Sequence, residues 1–439
     1  MKGNRAVTSK TLSISLLALV ALSACGEKDI ILPGTREPIR AEATQVNRAL
    51  PISFAAPVAN ANWTHRNGGA DHNSPQPALG GSLSQIFAVD IGEGDSKGAR
   101  ITADPVVANG IVYTLDARSH VTATTTGGAA VWSADITPPT DTRSDASGGG
   151  LAFGSGRLFV STGYGTLTAL DPATGGVIWV QELDAPGTSA PTVVGDLAYV
   201  VSRDSRAWAI DVTNGRIRYQ LSGIPSTTSF AGGAGPAVTD DLAVFPFSSG
   251  EVMAVFPQGG IQRWSSVISG DRPGQAVGDL SDIGGDPVID GDRVYVGNFS
   301  GVTVALDSAS GERIWTAGEG AAGPVWPAGN SVFMVNDLNE LVRLDRDTGE
   351  SIWRTTLPDF VETGSFLRKG RTVYAHFGPI MAGNRLVVAS SDGQLRSFDP
   401  TSGALLGSVA LPGGAASTPA IANGVLYVVN KNGQLLAFR

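Results

Sequence analysis

The chain has 439 residues, 57 of them glycine, with charge on only 16% of positions and a formal net charge of −9. That acidity, with no basic stripe along the chain, argues against nucleic acid as a partner, because phosphate contacts need clustered Lys and Arg. One cysteine leaves no internal disulfide, and His65, His72, His120 and His376 stand at no metal-ligand spacing, so each reads as a surface or hydrogen-bonded histidine.

The first element is a leader. Lys2, Arg5 and Lys10 precede an apolar run from Leu12 to Leu22, a secretory signal too short to span as a mature membrane helix. It closes on Leu22-Ser23-Ala24-Cys25, a lipobox, so Cys25 is the expected lipidation site and new N-terminus. Removing residues 1–24 takes away Lys2, Arg5, Lys10 and no acid, lowering the net charge from −9 to −12. Gly26 stands where Asp commonly retains bacterial lipoproteins in the inner membrane, which reads as an outer-membrane address. Residues 25–60 are rich in Pro, Ala and charge without periodicity and read as a tether. Residues 61–439 read as one folded domain.

"QIFAVDI" at 85–91 is a strand that resembles "AVWSADI" at 130–136. From there a ten-residue phrase recurs, clearest as "LDPATGGVIW" at 170–179, "LDSASGERIW" at 306–315 and "LDRDTGESIW" at 344–353, with weaker copies at 123–132, 210–219, 255–264 and 398–407. An Asp at its second position can accept hydrogen bonds from the backbone N–H groups just ahead, and the Gly at its sixth supplies the positive φ of a bulged hairpin. The tenth position is Trp132, Trp179, Tyr219, Trp264, Trp315 and Trp353 in six copies, spaced 38 to 51 residues apart; in the copy at 398–407 it is Gly407. This is the period of a four-stranded propeller blade.

Upstream of each phrase lies a short run of small apolar residues, usually opened by Pro, as in "DPVVANG" at 104–110, "DPVIDGD" at 286–292 and "TPAIANG" at 418–424. Such runs suit inner strands near an axis, with Pro where the ladder has barely begun. Inner strands are expected near 103, 149, 190, 235, 286, 323, 378 and 418, giving eight antiparallel units, and the last ends after its third strand. The strand at 85–91 is expected to supply the fourth, pairing with 433–439 and closing an all-β, eight-bladed propeller. The longest connections, 137–148, 222–234, 266–284 and 358–377, run from the fourth strand of one unit to the first of the next and share one face, the natural place for binding on a rigid scaffold.

Eight blades bearing this Trp phrase resemble the pyrroloquinoline-quinone-repeat superfamily, and lipobox, tether and blades together resemble the BamB family of outer-membrane assembly lipoproteins. The stretch "LSDIGGDPVIDGDRVYVGNFSGVTVALDSASGERIW" at 280–315 is closest. The resemblance implies a non-catalytic subunit on the periplasmic face of a Gram-negative outer membrane. Its expected partners are the lipid bilayer, the periplasmic domains of the barrel-forming subunit, and unfolded outer-membrane protein clients. It implies docking through the connections entering the fourth and fifth blades: Thr228, Phe230 and Ala231 in the first, Arg272, Asp279 and Asp282 in the second.

Three other classes share parts of this pattern. Quinone-dependent dehydrogenases share the propeller and hold cofactor and calcium on its axis, but many carry adjacent cysteines, and the recurrent Asp residues here have a turn-forming explanation. No cofactor or metal is therefore expected. A cell-envelope ligand-binding propeller would show an aromatic-lined axial pocket, whereas an assembly factor would expose an apolar patch on the loop face. The G-x-S-x-G match at Gly94–Gly98 lies in a polar loop without a following helix and reads as surface.

Overall fold

The computed structural model describes residues 47–439 apart from Thr188, 227–231, 271–281 and 366–367. Among these residues the chain is almost wholly strand and turn, with one short 3-10 turn at Arg66–Gly68. No helix among them is long and apolar enough to cross a membrane.

Eight four-stranded antiparallel sheets follow one another along the chain. Blade 1 comprises Val106–Ala108, Ile111–Leu115, His120–Thr125 and Ala130–Asp135; blade 2 Gly149–Gly154, Arg157–Thr162, Thr166–Leu170 and Val177–Glu182. Blade 3 comprises Thr192–Val194, Leu197–Ser202, Arg206–Asp211 and Ile217–Ser222; blade 4 Ala237–Val238, Ala243–Pro246, Glu251–Val255 and Gln262–Val267. Blade 5 comprises Val288–Asp290, Arg293–Gly297, Thr303–Asp307 and Arg313–Ala317; blade 6 Trp326–Ala328, Ser331–Val335, Glu340–Asp345 and Ser351–Thr356. Blade 7 comprises His376–Ala382, Arg385–Ser390, Gln394–Phe398 and Leu405–Ala410. In blade 8, Ala420–Ala422, Val425–Val429 and Gln434–Phe438 are completed by Gln85–Asp90, which pairs antiparallel from Gln85 opposite Phe438 to Asp90 opposite Gln434. The strand missing at the C-terminal end is thus supplied from upstream, as the sequence requires.

The recurrent phrase is the turn between third and fourth strands. Asp171 Oδ1 accepts hydrogen bonds from the backbone N–H of Ala173 and Thr174, both at 2.9 Å, and Asp307 and Asp345 repeat the arrangement. The sixth-position glycines have positive φ, and a register irregularity lies beside the turn, with Ala169 opposite Trp179 but Leu170 opposite Val177. A second reason for glycine lies between blades. The aromatic ring of each phrase rests on the Gly of the next: a Cβ on Gly175 would stand 2.5 Å from Trp132, and one on Gly349 2.6 Å from Trp315. Ring polar groups then reach the adjacent turn, with Trp132 Nε1 donating to Pro172 O at 2.9 Å, Trp179 Nε1 to Val212 O at 3.0 Å and Trp315 Nε1 to Arg346 O at 2.8 Å. Each ring therefore buries apolar area and satisfies its polar atom against the neighbouring blade. Apolar clusters lie between adjacent sheets: Val121, Leu151 and Leu158 join blades 1 and 2, and Leu167, Val193 and Val200 join blades 2 and 3.

Two segments differ from the sequence reading. Residues 47–60, assigned to the end of the tether, lie against the blades: Arg48 N donates to Ile352 O at 3.0 Å, and Asn60 Nδ2 donates to Ile421 O at 2.6 Å. The connection 358–377 contains a β-hairpin, Phe360–Ser365 with Arg368–Val373, formed where Val361, Thr363, Thr372 and Val373 supply β-formers.

Candidate functional site

Residues 58–79 fill the propeller axis. Trp63 exchanges backbone hydrogen bonds with Val107 of blade 1 at 2.7 and 2.8 Å, and Thr64 O accepts from Phe153 N of blade 2 at 2.9 Å. His65 Nε2 accepts from Val193 N of blade 3 at 3.0 Å. Ala70 O and Asp71 O accept from Val238 N of blade 4 and Ile289 N of blade 5, at 2.8 and 3.0 Å. Asn67 donates to Val325 O beside blade 6 at 3.3 Å, and Pro77 O and Asn60 O accept from Gly383 N and Asn423 N in the first turns of blades 7 and 8, at 3.0 and 2.7 Å. Each of the eight inner strands, or a residue flanking it, thus bonds to one segment. The stretch that serves blades 1 to 6, "NWTHRNGGADHNS" at 62–74, is rich in short polar side chains, as an axis ringed by unpaired strand edges demands.

Arg66 stands at the centre of this plug. Its Nε donates to Asp104 Oδ2 at 2.8 Å and its Nη1 to Asp286 Oδ1 at 3.0 Å. Asp104 and Asp286 precede the Pro of the inner strands of blades 1 and 5, opposite one another in the ring. Each also accepts a backbone N–H from a neighbouring blade: Asp104 from Thr418 at 2.6 Å and Asp286 from Gly235 at 2.6 Å. Burial opposes the Arg66 charge, but the two carboxylates outweigh it and hold the guanidinium above its ordinary range. Burial raises the pKa of Asp104 despite the attraction of Arg66. Burial, with a smaller contribution from His72, pulls His65 down to about 3, in keeping with an Nε2 that must stay unprotonated to accept from Val193.

On the face carrying the connections between blades, a cavity of ≈ 600 Å³ opens above Arg66, with Ile101, Pro324, Val373, Tyr374 and Phe377 among its walls. The hairpin Phe360–Val373 overhangs it, and Val361 and Val373 are 40% and 63% exposed there. Among the described residues no group of three His, Cys, Asp or Glu side chains is placed to hold a metal ion. The loop carrying Gly94–Gly98 is no nucleophile elbow: Ser96 bridges to Ala99 in a turn, and Asp95 Oδ1 accepts from Ile101 N at 2.9 Å.

Of the residues expected at the site, Cys25, Thr228, Phe230, Ala231, Arg272 and Asp279 lie outside the described residues. Gly232 and Gly284, which follow 227–231 and 271–281, both line the axial cavity, so both connections enter their blades from this face. Asp282 is 4% exposed and its backbone O accepts from Phe299 N at 3.2 Å, so little of its side chain faces solvent as a rim group would. Sequence reasoning missed the axial role of His65, Arg66, Asp104 and Asp286. The signal available was a polar stretch, 62–74, with no strand period yet too rich in hydrogen-bonding side chains and Trp for a plain linker.

Fold and axis together define an eight-bladed propeller of the pyrroloquinoline-quinone-repeat class whose centre is filled by its own chain. A family model described as outer membrane protein assembly factor BamB matches residues 108–355 and 365–439, and the chain belongs to that family. The outer membrane protein assembly factor BamB of Yersinia pestis is 23% identical over 440 residues, covering 98% of each chain. BamB from Moraxella catarrhalis superposes with a TM-score of 0.68 at 17% identity, covering 82% of this chain and 100% of that one. The quinohemoprotein alcohol dehydrogenase of Comamonas testosteroni gives 0.62 at 15% identity, covering 86% and 80%. Structural likeness at such identities speaks for the fold alone. The two matched stretches leave out 356–364, where the first strand of the loop-face hairpin lies.

Proposed function

We propose that this chain is a non-catalytic lipoprotein subunit of the outer-membrane β-barrel assembly machinery. Lipidated Cys25 anchors it to the periplasmic face of the outer membrane, and its loop face docks on the periplasmic domains of the barrel-forming subunit to aid insertion of outer-membrane proteins. The observation that carries this reading is family membership along the propeller. The axial cluster supports the non-catalytic part: at the floor of the axial cavity Arg66, Asp104 and Asp286 are spent on one another. The loop face supports docking, since its connections are the longest and it exposes Val361 and Val373.

The test is capture of the tagged chain from membranes in mild detergent. A large β-barrel protein, recognised by its heat-dependent gel mobility, is expected to co-purify. Phe230→Ala is expected to weaken that association by about 1–3 kcal/mol, typical of an aromatic anchor, with little change in melting temperature. Equal association with lowered stability assigns Phe230 to the core and moves the interface elsewhere. Intact mass of the extracted protein checks the anchor: an N-terminus other than acylated Cys25 removes it.

A further inference from the structure

Seven of the eight blade junctions are closed by an aromatic ring. Six are made by the phrase residues Trp132, Trp179, Tyr219, Trp264, Trp315 and Trp353, and Phe87 of blade 8 lies on Gly128 of blade 1. The junction between blades 7 and 8 is different. In blade 6, Trp353 pairs with Arg343 beside a register irregularity, and in blade 7 the same place in the register is Gly407 opposite Ser397. A Cβ on Gly407 would meet nothing within 4 Å. The next blade also has no phrase to receive a ring, because its fourth strand comes from upstream and the chain passes here as 80–84 instead. The result is an open groove of ≈ 480 Å³ lined by Leu83, Arg385, Ser397, Leu406 and Gly407.

Two further features converge on this groove. Arg385 is 6% exposed. Its Nε donates to Ser397 Oγ at 3.1 Å and its Nη2 to Gly80 O, while no carboxylate among the described residues pairs with it and Nη1 has no partner among them. A buried guanidinium without a counter-ion is a ready carboxylate site. The bordering edge strand, Leu405–Ala410, is also unusual. Each of the other seven outer strands carries a charged residue (Asp90, Asp135, Glu182, Arg218, Arg263, Arg313 or Arg354), the ordinary protection of a sheet edge, and Leu-Leu-Gly-Ser-Val-Ala carries none. Leu405 and Leu406 are 55% and 61% exposed on it.

We infer that the seam between blades 7 and 8 binds an extended segment of another polypeptide, which adds to the edge strand Leu405–Ala410, places an aromatic side chain over Gly407 and presents a carboxylate to Arg385. The missing ring selects the aromatic residue, the uncompensated cation the acid, and the uncharged edge the extended backbone. The site lies on the circumference of the ring, apart from the loop face, and stands whether or not the docking reading holds.

The test is fluorescence anisotropy of the full-length chain with a labelled ten-residue peptide of alternating Thr and Val carrying one central Trp and an Asp beside it. Saturable binding is expected, weakened at least about tenfold when the peptide Trp becomes Ala, as for an aromatic anchor. Gly407→Trp, which puts the ring back in cis, is expected to abolish binding while leaving the melting temperature equal or higher. Arg385→Gln is expected to weaken the acidic peptide severalfold and leave its Asn counterpart unchanged. Because Arg385 is buried and its replacement is expected to lower stability, Leu406→Lys provides a second, surface variant expected to weaken binding of both peptides. Absence of saturable binding, or Gly407→Trp binding as well as the unaltered chain, overturns the inference. So does self-association that Gly407→Trp abolishes without any peptide binding, which makes a second copy the occupant.

Discussion

Gly349 and Gly291 both have positive φ, 71° and 64°, but differ in what a methyl group would meet: Trp315 at 2.6 Å for the first, and nothing within 4 Å for the second. Backbone strain alone is expected to make Gly291→Ala cost about 1–2 kcal/mol. Gly349→Ala adds displacement of a docked ring and is expected to cost about 1–3 kcal/mol more. Urea unfolding of the two variants measures the difference, and equal losses would show that the ring contact adds nothing. The turn role of these glycines is legible in the repeated phrase. The ring contact is not, because it joins the Trp of one copy to the Gly of the next, and a single phrase carries no sign of which blade its ring will meet. His65 supplies a pH test. Its folded pKa is lowered to about 3, below an unfolded value of 6.5. The unfolded chain therefore takes up the proton first: the contribution to stability is constant above 6.5, and stability is lost as pH falls from 6.5 toward 3. At pH 5 the loss from this residue is about 2 kcal/mol. His376, also buried and lowered, acts in the same direction. His65→Gln is expected to flatten the decline between pH 7 and 5 relative to the unaltered chain, and an unchanged slope would contradict the buried, neutral assignment.

At the scale of elements, the axial segment and the loop-face hairpin were the parts least legible beforehand. Strands announce themselves by alternation, but residues 62–74 bond beside the inner strands of six blades at once and so follow no period. The Asp residues that meet Arg66 sit in two of the eight inner-strand runs, Asp104 and Asp286, and nothing in those runs says that the same arginine lies between them. The side chains of Arg66, Asp104 and Asp286 are 11%, 12% and 1% exposed, so the charges have little water to turn to. Arg66→Ala is expected to cost about 3–5 kcal/mol, the usual effect of leaving buried charge uncompensated. Replacing Asp104 and Asp286 with Asn in that background is expected to restore part of it. A loss below about 1 kcal/mol, measured by the same unfolding experiment, would show that the cluster is solvated and not a clamp across the ring. The hairpin Phe360–Val373 was expected only as a long connection, since its strands have no place in the blade repeat.

For the whole molecule, blade count and closure were legible because the repeat is arithmetic: eight inner runs, seven phrases and a chain that stops one strand short leave one place for Gln85–Asp90. The proposed docking surface was legible only as a face. Connectivity puts the long loops on one side, and Gly232 and Gly284 converge there, but which loop side chains meet a partner depends on conformations that no repeat dictates. The central claim is that this face meets the barrel-forming subunit of the assembly machinery, and site-specific photo-cross-linking in cells tests it most directly. A photoreactive amino acid is placed at Val361 or Val373 on the loop face, and at Gly195 in the first turn of blade 3 on the opposite face. Docking through the loop face predicts a light-dependent adduct with a large β-barrel protein from the loop-face positions and none from Gly195. An adduct from Gly195 with none from Val361 or Val373 would contradict it.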